Sequence, residues 1–245
     1  MIALGTLSGA ILLYFRAKSK GFPQEDALNA LIYGVLGMAV GSKLLYIVQY
    51  LPQIISQLDT IKADPLSLIE LLSSGFVFYG GLIGGIGAVL AYAHKYQVPK
   101  LELVNVLTPV IPFIHGFGRI GCFLAGCCYG IPYDGPLSVV YTQSIAAPRN
   151  IAMFPVQLLE SLLLFLLAFF LLSYDRLAKN PRNLGGWYLL LYGVIRLVTE
   201  LFRGDISRGF FMMLSTSQWI SLMMIAVAAV LLYKKPELLS TDQTV

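Results

Sequence analysis

Apolar runs of bilayer length recur along this chain so often that no stretch is left from which to build a water-soluble domain. They fall at about residues 2–15, 27–50, 75–94, 101–118, 155–174, 185–203 and 217–233. A membrane-crossing helix needs about 20 predominantly apolar residues, and the breaks between these runs are short and polar. Of all residues 57% are hydrophobic and only 12% charged, against roughly 25% charged in a soluble domain. The expected fold is therefore all-α and polytopic, with about seven transmembrane helices in a single integral membrane domain over 1–245. The first run, IALGTLSGAILLYF, is short for a hydrocarbon core of ~30 Å. It either tilts through a thin region or continues from a start upstream of Met1. No basic residues precede it and further membrane segments follow, so no cleavable signal peptide is expected.

Two breaks are longer than the rest. LPQIISQLDTIKADPLSLIELLSS reads as an interfacial loop with an amphipathic turn or two. The break at 128–154 carries Pro132, Pro136 and Pro148, with Pro155 at its border, and should be irregular. Lys and Arg set the orientation. Arg16, Lys18, Lys20, Lys95, Lys100, Arg176, Lys179, Arg182, Lys234 and Lys235 follow the odd-numbered runs. The alternate loops hold only Lys62, Arg149 and Arg208 away from the segment ends. Ten against three puts the N-terminus outside and the C-terminus in the cytoplasm of a multi-pass protein of the cytoplasmic (inner) membrane. The net charge of +4, spread over short loops in this way, is a topology signal rather than a nucleic-acid patch, and no nucleic-acid partner is expected.

Several ionisable groups lie where a bilayer should exclude them, at a cost of ~2.5–3.5 kcal/mol at mid-helix on insertion scales. Lys43 lies deep in the second run, with Tyr46 three residues on. In YLLLYGVIRLVTELFRGD, Tyr192, Arg196, Glu200 and Arg203 follow at steps of four, four and three, on one helical stripe. Arg119 ends the fourth run; Glu160 lies inside the fifth, three residues after Gln157. On a structural reading Arg196 pairs with Glu200, Arg203 snorkels to the interface and a neighbouring helix satisfies Glu160. On a functional reading the cations outnumber the carboxylates because an anion belongs among them. Arginine's planar fork favours phosphate or carboxylate, and the commonest anion within reach is a phospholipid headgroup.

Two glycine-rich stretches add to this. GFVFYGGLIGGIGAVLAY suits close helix packing, while Gly80 and Gly81 also suit backbone laid against a ligand. HGFGRIGCFLAGCCYG, at 115–130, gathers His115, Arg119 and all three cysteines. Three cysteines within seven positions do not make a secreted disulfide framework. Cys122, Cys127 and Cys128 have three readings: soft packing residues in a tight turn; thiol chemistry, as an oxidised pair or an acyl or glyceryl acceptor; or a metal site with His115 as fourth ligand. Against the last, adjacent Cys127 and Cys128 point apart on most backbones and Arg119 repels a cation, so no metal is assigned. His94, beside Lys95, is not expected to be catalytic.

Taken in order, LPQIISQLDTIKADPLSLIELLSSGFVFYGGLIGG, TPVIPFIHGFGRIGCFLAGCCYG, FPVQLLE, LYGVIRLVTELFRGD and LSTSQWISL resemble the prolipoprotein diacylglyceryl transferase family over nearly the whole chain. The resemblance implies a seven-helix fold around a lipid-binding cavity. It also implies phosphatidylglycerol-dependent transfer of a diacylglyceryl group to a prolipoprotein cysteine thiol at the outer face of the cytoplasmic membrane. The implied partners are phosphatidylglycerol or a related anionic phospholipid, a lipoprotein precursor or other extracytoplasmic acceptor, and the bilayer; no metal or organic cofactor is implied. Arg119 falls on the arginine thought to hold the phosphate. Arg196, Glu200 and Arg203 match the sixth-segment stripe, where the first arginine is implicated in catalysis, and Tyr192 extends it. Tyr46, Gly80, Gly81, Gln157 and Glu160 match substrate-site positions, and Lys43 stands where an arginine is common.

The departures are specific. Tyr79 occupies the place of a histidine proposed as base, where a tyrosine suits orienting the lipid. His115, four residues before Arg119, is a candidate for that base; a hydrogen-bonded structural histidine is the other reading. Cys122, Ala125 and Cys127 replace asparagines and an acidic residue, and the usual N-terminal arm is missing. A paralogue with another acceptor, a non-catalytic lipid-binding protein and a thiol-redox membrane protein are the alternatives.

Overall fold

The computed structural model describes residues 1–56, 75, 77–177, 183–205 and 210–233. The expected interfacial loop falls mostly at 57–74, outside the described residues. Each apolar run is helical, with ends that differ from those expected. The helices are α1 (Ile2–Ser19), α2 (Gln24–Ser56), α3 (Phe78–Lys95), α4 (Lys100–Leu107), α5 (Val110–Ala125), α6 (Val156–Leu177), α7 (Leu184–Glu200) and α8 (Thr216–Tyr233). Two short antiparallel ladders correct the all-α expectation. β1 (Val139–Val140) pairs with β2 (Ala152–Met153) inside the otherwise irregular 128–154 segment. β3 (Phe210–Phe211) pairs with β4 (Leu214–Ser215) across a turn at Met212 and Met213, both at positive φ.

The run at 101–118, expected as one helix, is two. Thr108 donates its hydroxyl to the Val104 carbonyl at 2.6 Å, closing α4, and Pro109 caps the start of α5. A proline there sacrifices no helical bond, because the first N–H groups of a helix have no intrahelical acceptor. Four described stretches are long and apolar enough to cross a membrane: Gln24–Pro52, Lys100–Ala125, Val156–Leu177 and Thr216–Tyr233.

The described chain forms two compact units, Ala17–Leu103 and Met1–Arg16 with Val104–Val245. In the first, α2 and α3 pack along their length. A Cβ on Gly41 would collide with the Gly80 carbonyl oxygen, and one on Gly80 with that of Gly41. The two backbones touch, so glycine is required on both sides.

In the second unit α5, α6, α7 and α8 pack in succession, and Gly5 and Gly9 of α1 face Phe117 and Ile114 of α5. Helix α6 shows how such a unit sorts its residues. Its buried residues are Val156, Gln157, Glu160, Ser161, Leu164, Leu167, Ala168, Leu171 and Asp175, the i, i+3 and i+4 spacing of one helical side. The opposite side exposes Leu162, Leu166 and Phe169. Polar groups inside and hydrocarbon outside is the arrangement a bilayer imposes. Arg16, expected only as a loop cation, is buried. Its guanidinium donates to Asp175 at 2.8 Å and to the carbonyls of Val106 and Asn105 at 3.0 Å each, tying α1 and the end of α4 to α6.

Candidate functional site

Within this second unit the membrane-embedded charges converge on Glu160, which is 1% exposed. Its Oε1 accepts from Arg119 Nη2 at 2.8 Å, from α5. Arg196 Nη1, from α7, reaches both carboxylate oxygens at 3.3 Å. Arg196 Nη2 donates to Glu200 at 2.9 Å, one turn on, and to the Ser217 hydroxyl of α8 at 3.0 Å. Four helices thus meet on a network of two guanidiniums and two carboxylates. Burying any one of these groups alone would cost several kcal/mol; together each satisfies the next. Arg203, just past α7, grips Asp205 with two bonds, at 3.0 and 2.5 Å.

The expected excess of cations does not hold in this unit. Beside the Arg16–Asp175 pair, Asp205 brings the set at the site to three arginines and three carboxylates among the described residues. A more local signal remains. Arg119 Nε is buried without an acceptor, and so is the Gln157 Oε1 acceptor without a donor. Native interiors rarely leave such groups unpaired unless something binds there. Gln157 is otherwise fixed, donating through Nε2 to the Cys127 carbonyl at 2.9 Å and to the Tyr141 hydroxyl at 3.3 Å.

The turn after α5 explains the cysteines' placement. Gly126 takes φ +67; its N–H reaches the Phe123 carbonyl at 3.2 Å, and the Cys127 N–H reaches the Cys122 carbonyl at 3.1 Å. This paired bonding is the Schellman closure, which lays the second residue past the helix beside the last turn. It therefore sets Cys127 against Cys122. Cys128 then adopts φ +53, a left-handed conformation costing ~1–2 kcal/mol for a residue with a Cβ. The three sulfurs lie within 4.8 Å of one another. The objection that Cys127 and Cys128 diverge holds for ordinary backbones and fails for this one. A hydrogen bond from the Cys122 thiol, with Arg119 and Arg203 in electrostatic reach, holds the Cys128 thiol down to about 5 against the opposing effect of burial. Burial pushes Cys127 up. Beyond the turn, Tyr129–Tyr133 is pinned on two sides: Ile131 N–H to the Phe202 carbonyl and Gly204 N–H to that of Tyr129, each 3.0 Å, and Phe154 N–H to Ile131 at 3.0 Å. Arg203 is anchored beside the cysteine turn by these bonds.

His115 does not join the sulfurs; its ring packs against Tyr192 at 5.7 Å between centroids, and Tyr192 stacks on Tyr188 at 5.6 Å. The remaining expected site residues lie in the unit Ala17–Leu103. There Lys43 donates to the Gly75 carbonyl at 3.4 Å and sits 4.9 Å above the Tyr46 ring. Tyr46 is buried, with Gly75 against its ring. Gly80 and Gly81 are consumed in the contact with α2, at Gly41 and Leu45 and at Ser42 and Met38. Tyr79 is half-buried beside them. Sequence reasoning missed Asp205 and Ser217. Asp205 had a signal, two residues after Arg203 in FRGD; Ser217, 21 residues from Arg196, had none.

Apolar helices with exposed hydrocarbon side chains outside and a buried, paired arginine–carboxylate network inside define a helical membrane protein with a buried polar site. The comparisons make this particular. A family model described as prolipoprotein diacylglyceryl transferase matches residues 1–234. A phosphatidylglycerol–prolipoprotein diacylglyceryl transferase of Clostridium tetani is 43% identical, over 93% of this chain and 88% of its own. One of Clostridium perfringens, designated transferase 2, is 33% identical over 100% of this chain and 92% of its own. One of Aeromonas hydrophila is 32% identical over 91% and 80%. The chain belongs to the prolipoprotein diacylglyceryl transferase family.

Proposed function

We propose that this protein transfers the diacylglyceryl group of phosphatidylglycerol to the cysteine thiol of a prolipoprotein, at the outer face of the cytoplasmic membrane, releasing glycerol phosphate. Family membership supports the reaction. The observation that carries the site is Arg119, held by Glu160 through Nη2 while its buried Nε has no acceptor. Such a group suits the phosphate oxygen on which charge builds as the glyceryl C–O bond breaks. The acceptor reacts as a thiolate, and a preorganised guanidinium in a water-poor site stabilises the departing phosphate without reorganising. Arg196, locked between Glu160 and Glu200, positions that network and adds positive charge beside it. Gln157 Oε1 suits a hydroxyl donor, such as the headgroup glycerol. Arg203, with Tyr192 and His115 along the same side, lines the substrate. The same reading gives Lys43, Tyr46 and Tyr79 parts in substrate handling, each testable by substitution, with Gly80 and Gly81 holding α3 against α2 beside them.

The proposed topology is a single domain with seven crossings, N-terminus outside and C-terminus in the cytoplasm. α1, α3 and α7, of 18, 18 and 17 residues, join the four spans already named. The test is purified protein with phosphatidylglycerol and a prolipoprotein peptide, reading glycerol phosphate and peptide mass. Both should appear. Arg119→Ala should lower the rate by roughly 10²–10³, and Arg119→Lys should not restore it, since lysine lacks the fork. Release without peptide modification would mean another acceptor. A folded, lipid-binding protein that releases nothing would overturn the reading.

A further inference from the structure

We propose that Cys122, Cys127 and Cys128 form a three-thiolate zinc site whose fourth position binds and deprotonates the acceptor thiol. The identity of the acceptor rests on the transferase reading; the metal site does not. Zinc–sulfur bonds of about 2.3 Å in a tetrahedron place sulfurs roughly 3.8 Å apart. The three sulfurs here already lie within 4.8 Å of one another, so less than about 1 Å of side-chain adjustment would close them on an ion. Convergence is built into the backbone: a Schellman closure sets Cys127 against Cys122, and a left-handed Cys128 turns the third sulfur in.

The guanidiniums, which oppose a bare cation, favour this one. Three thiolates around a divalent ion leave one net negative charge, and Arg119 and Arg203 lie within electrostatic reach of Cys128. Hard cations are disfavoured by sulfur, and three thiolates without a fourth protein ligand match the open zinc sites that bind a substrate. His115, packed on Tyr192, leaves the fourth position free.

The position fits the chemistry. Cys122 follows Arg119 by three residues on α5, about 4.5 Å of helix rise. A thiol held at the sulfurs and a phosphate held at Arg119 are therefore one turn apart. The acceptor S–H proton passes to water as its sulfur binds zinc, since a coordinated thiol is deprotonated outright. That sulfur's electron pair forms the new C–S bond to the glyceryl carbon. The C–O bond to phosphate breaks, its pair leaves on glycerol phosphate, and zinc keeps its charge throughout.

The experiment uses cobalt(II) as a coloured stand-in for zinc, on the reduced, metal-stripped full chain in detergent. One cobalt should bind per chain, with tetrahedral bands in the visible and thiolate charge transfer in the near ultraviolet. Adding the prolipoprotein peptide without phospholipid should intensify the charge transfer; the same peptide with Ser for Cys should not. Cys122→Ser and Cys128→Ser should each weaken cobalt binding by more than about a hundredfold. Should either variant fail to fold, zinc protection of the three wild-type thiols from alkylation, read by mass spectrometry, gives the same answer. No cobalt binding, no response to the peptide, a disulfide in place of three free thiols, or full transfer by metal-free protein would each overturn the proposal. Transfer by the metal-free chain would do so while leaving the transferase reading intact. Cobalt bound and responsive to peptide, with no glycerol phosphate released once phospholipid is added, would sink the transferase reading instead.

Discussion

At the scale of the residue, Glu160 governs the site more than any arginine does. It is bonded by guanidiniums from two different helices. Glu160→Gln keeps the shape and removes the charge, leaving the Arg119 guanidinium without its carboxylate and Arg196 with Glu200 and Ser217. Breaking a buried pair in this way costs about 3–5 kcal/mol. The variant should show a thermal midpoint in detergent well below wild type and transfer near background. Ser217→Ala removes one hydrogen bond from Arg196, worth about 1 kcal/mol, and should leave transfer within severalfold of wild type. The difference separates a group that holds the network from one that trims it. Much of this network was legible, because an ionised residue in an apolar run announces itself by its cost. The partners were not. Glu160 and Arg119 are 41 residues apart, and no spacing rule reaches across helices. The convergence of the cysteines was half legible: Gly126, four residues after Cys122 and just before Cys127, signals a helix closure. The positive φ of Cys128 had no such signal.

At the scale of the element, apolar periodicity found the helices because hydrocarbon leaves the backbone no partner but itself. It failed inside 101–118. There Pro109 breaks the helix, yet it is apolar enough to pass within a hydrophobic run. It also failed to separate two roles of glycine. Gly80, a candidate for ligand contact, is spent on α2. Gly41→Leu should therefore force α2 from α3, lowering the thermal midpoint, whereas Gly87→Ala should be silent, since a Cβ there meets nothing within 4 Å. Melting both variants in one detergent checks this. Equal midpoints would mean that the contact through Gly41 and Gly80 contributes little to stability.

At the scale of the whole molecule, one unit is continuous and the other is split, Met1–Arg16 joining Val104–Val245. The Arg16–Asp175 pair, at 2.8 Å and nearly inaccessible, fastens the split one. Asp175→Ala should destabilise the protein by about 3–5 kcal/mol. Arg16→Leu with Asp175→Leu should recover part of that loss, because no charge is then left unpaired. An alkaline phosphatase fusion at the C-terminus should be inactive and a fluorescent protein fusion there bright, as the proposed topology requires. The same ion pair sets a timetable for biosynthesis. Its partners are 159 residues apart, so at ~5–20 residues per second the ribosome delivers Asp175 roughly 8–30 s after Arg16. Before Asp175 emerges, the carbonyls of Asn105 and Val106, 89 and 90 residues on, can already receive the Arg16 guanidinium, but its charge still lacks this partner. The unit Ala17–Leu103 can assemble at once; the half that holds the arginine network can close only when the sixth helix arrives.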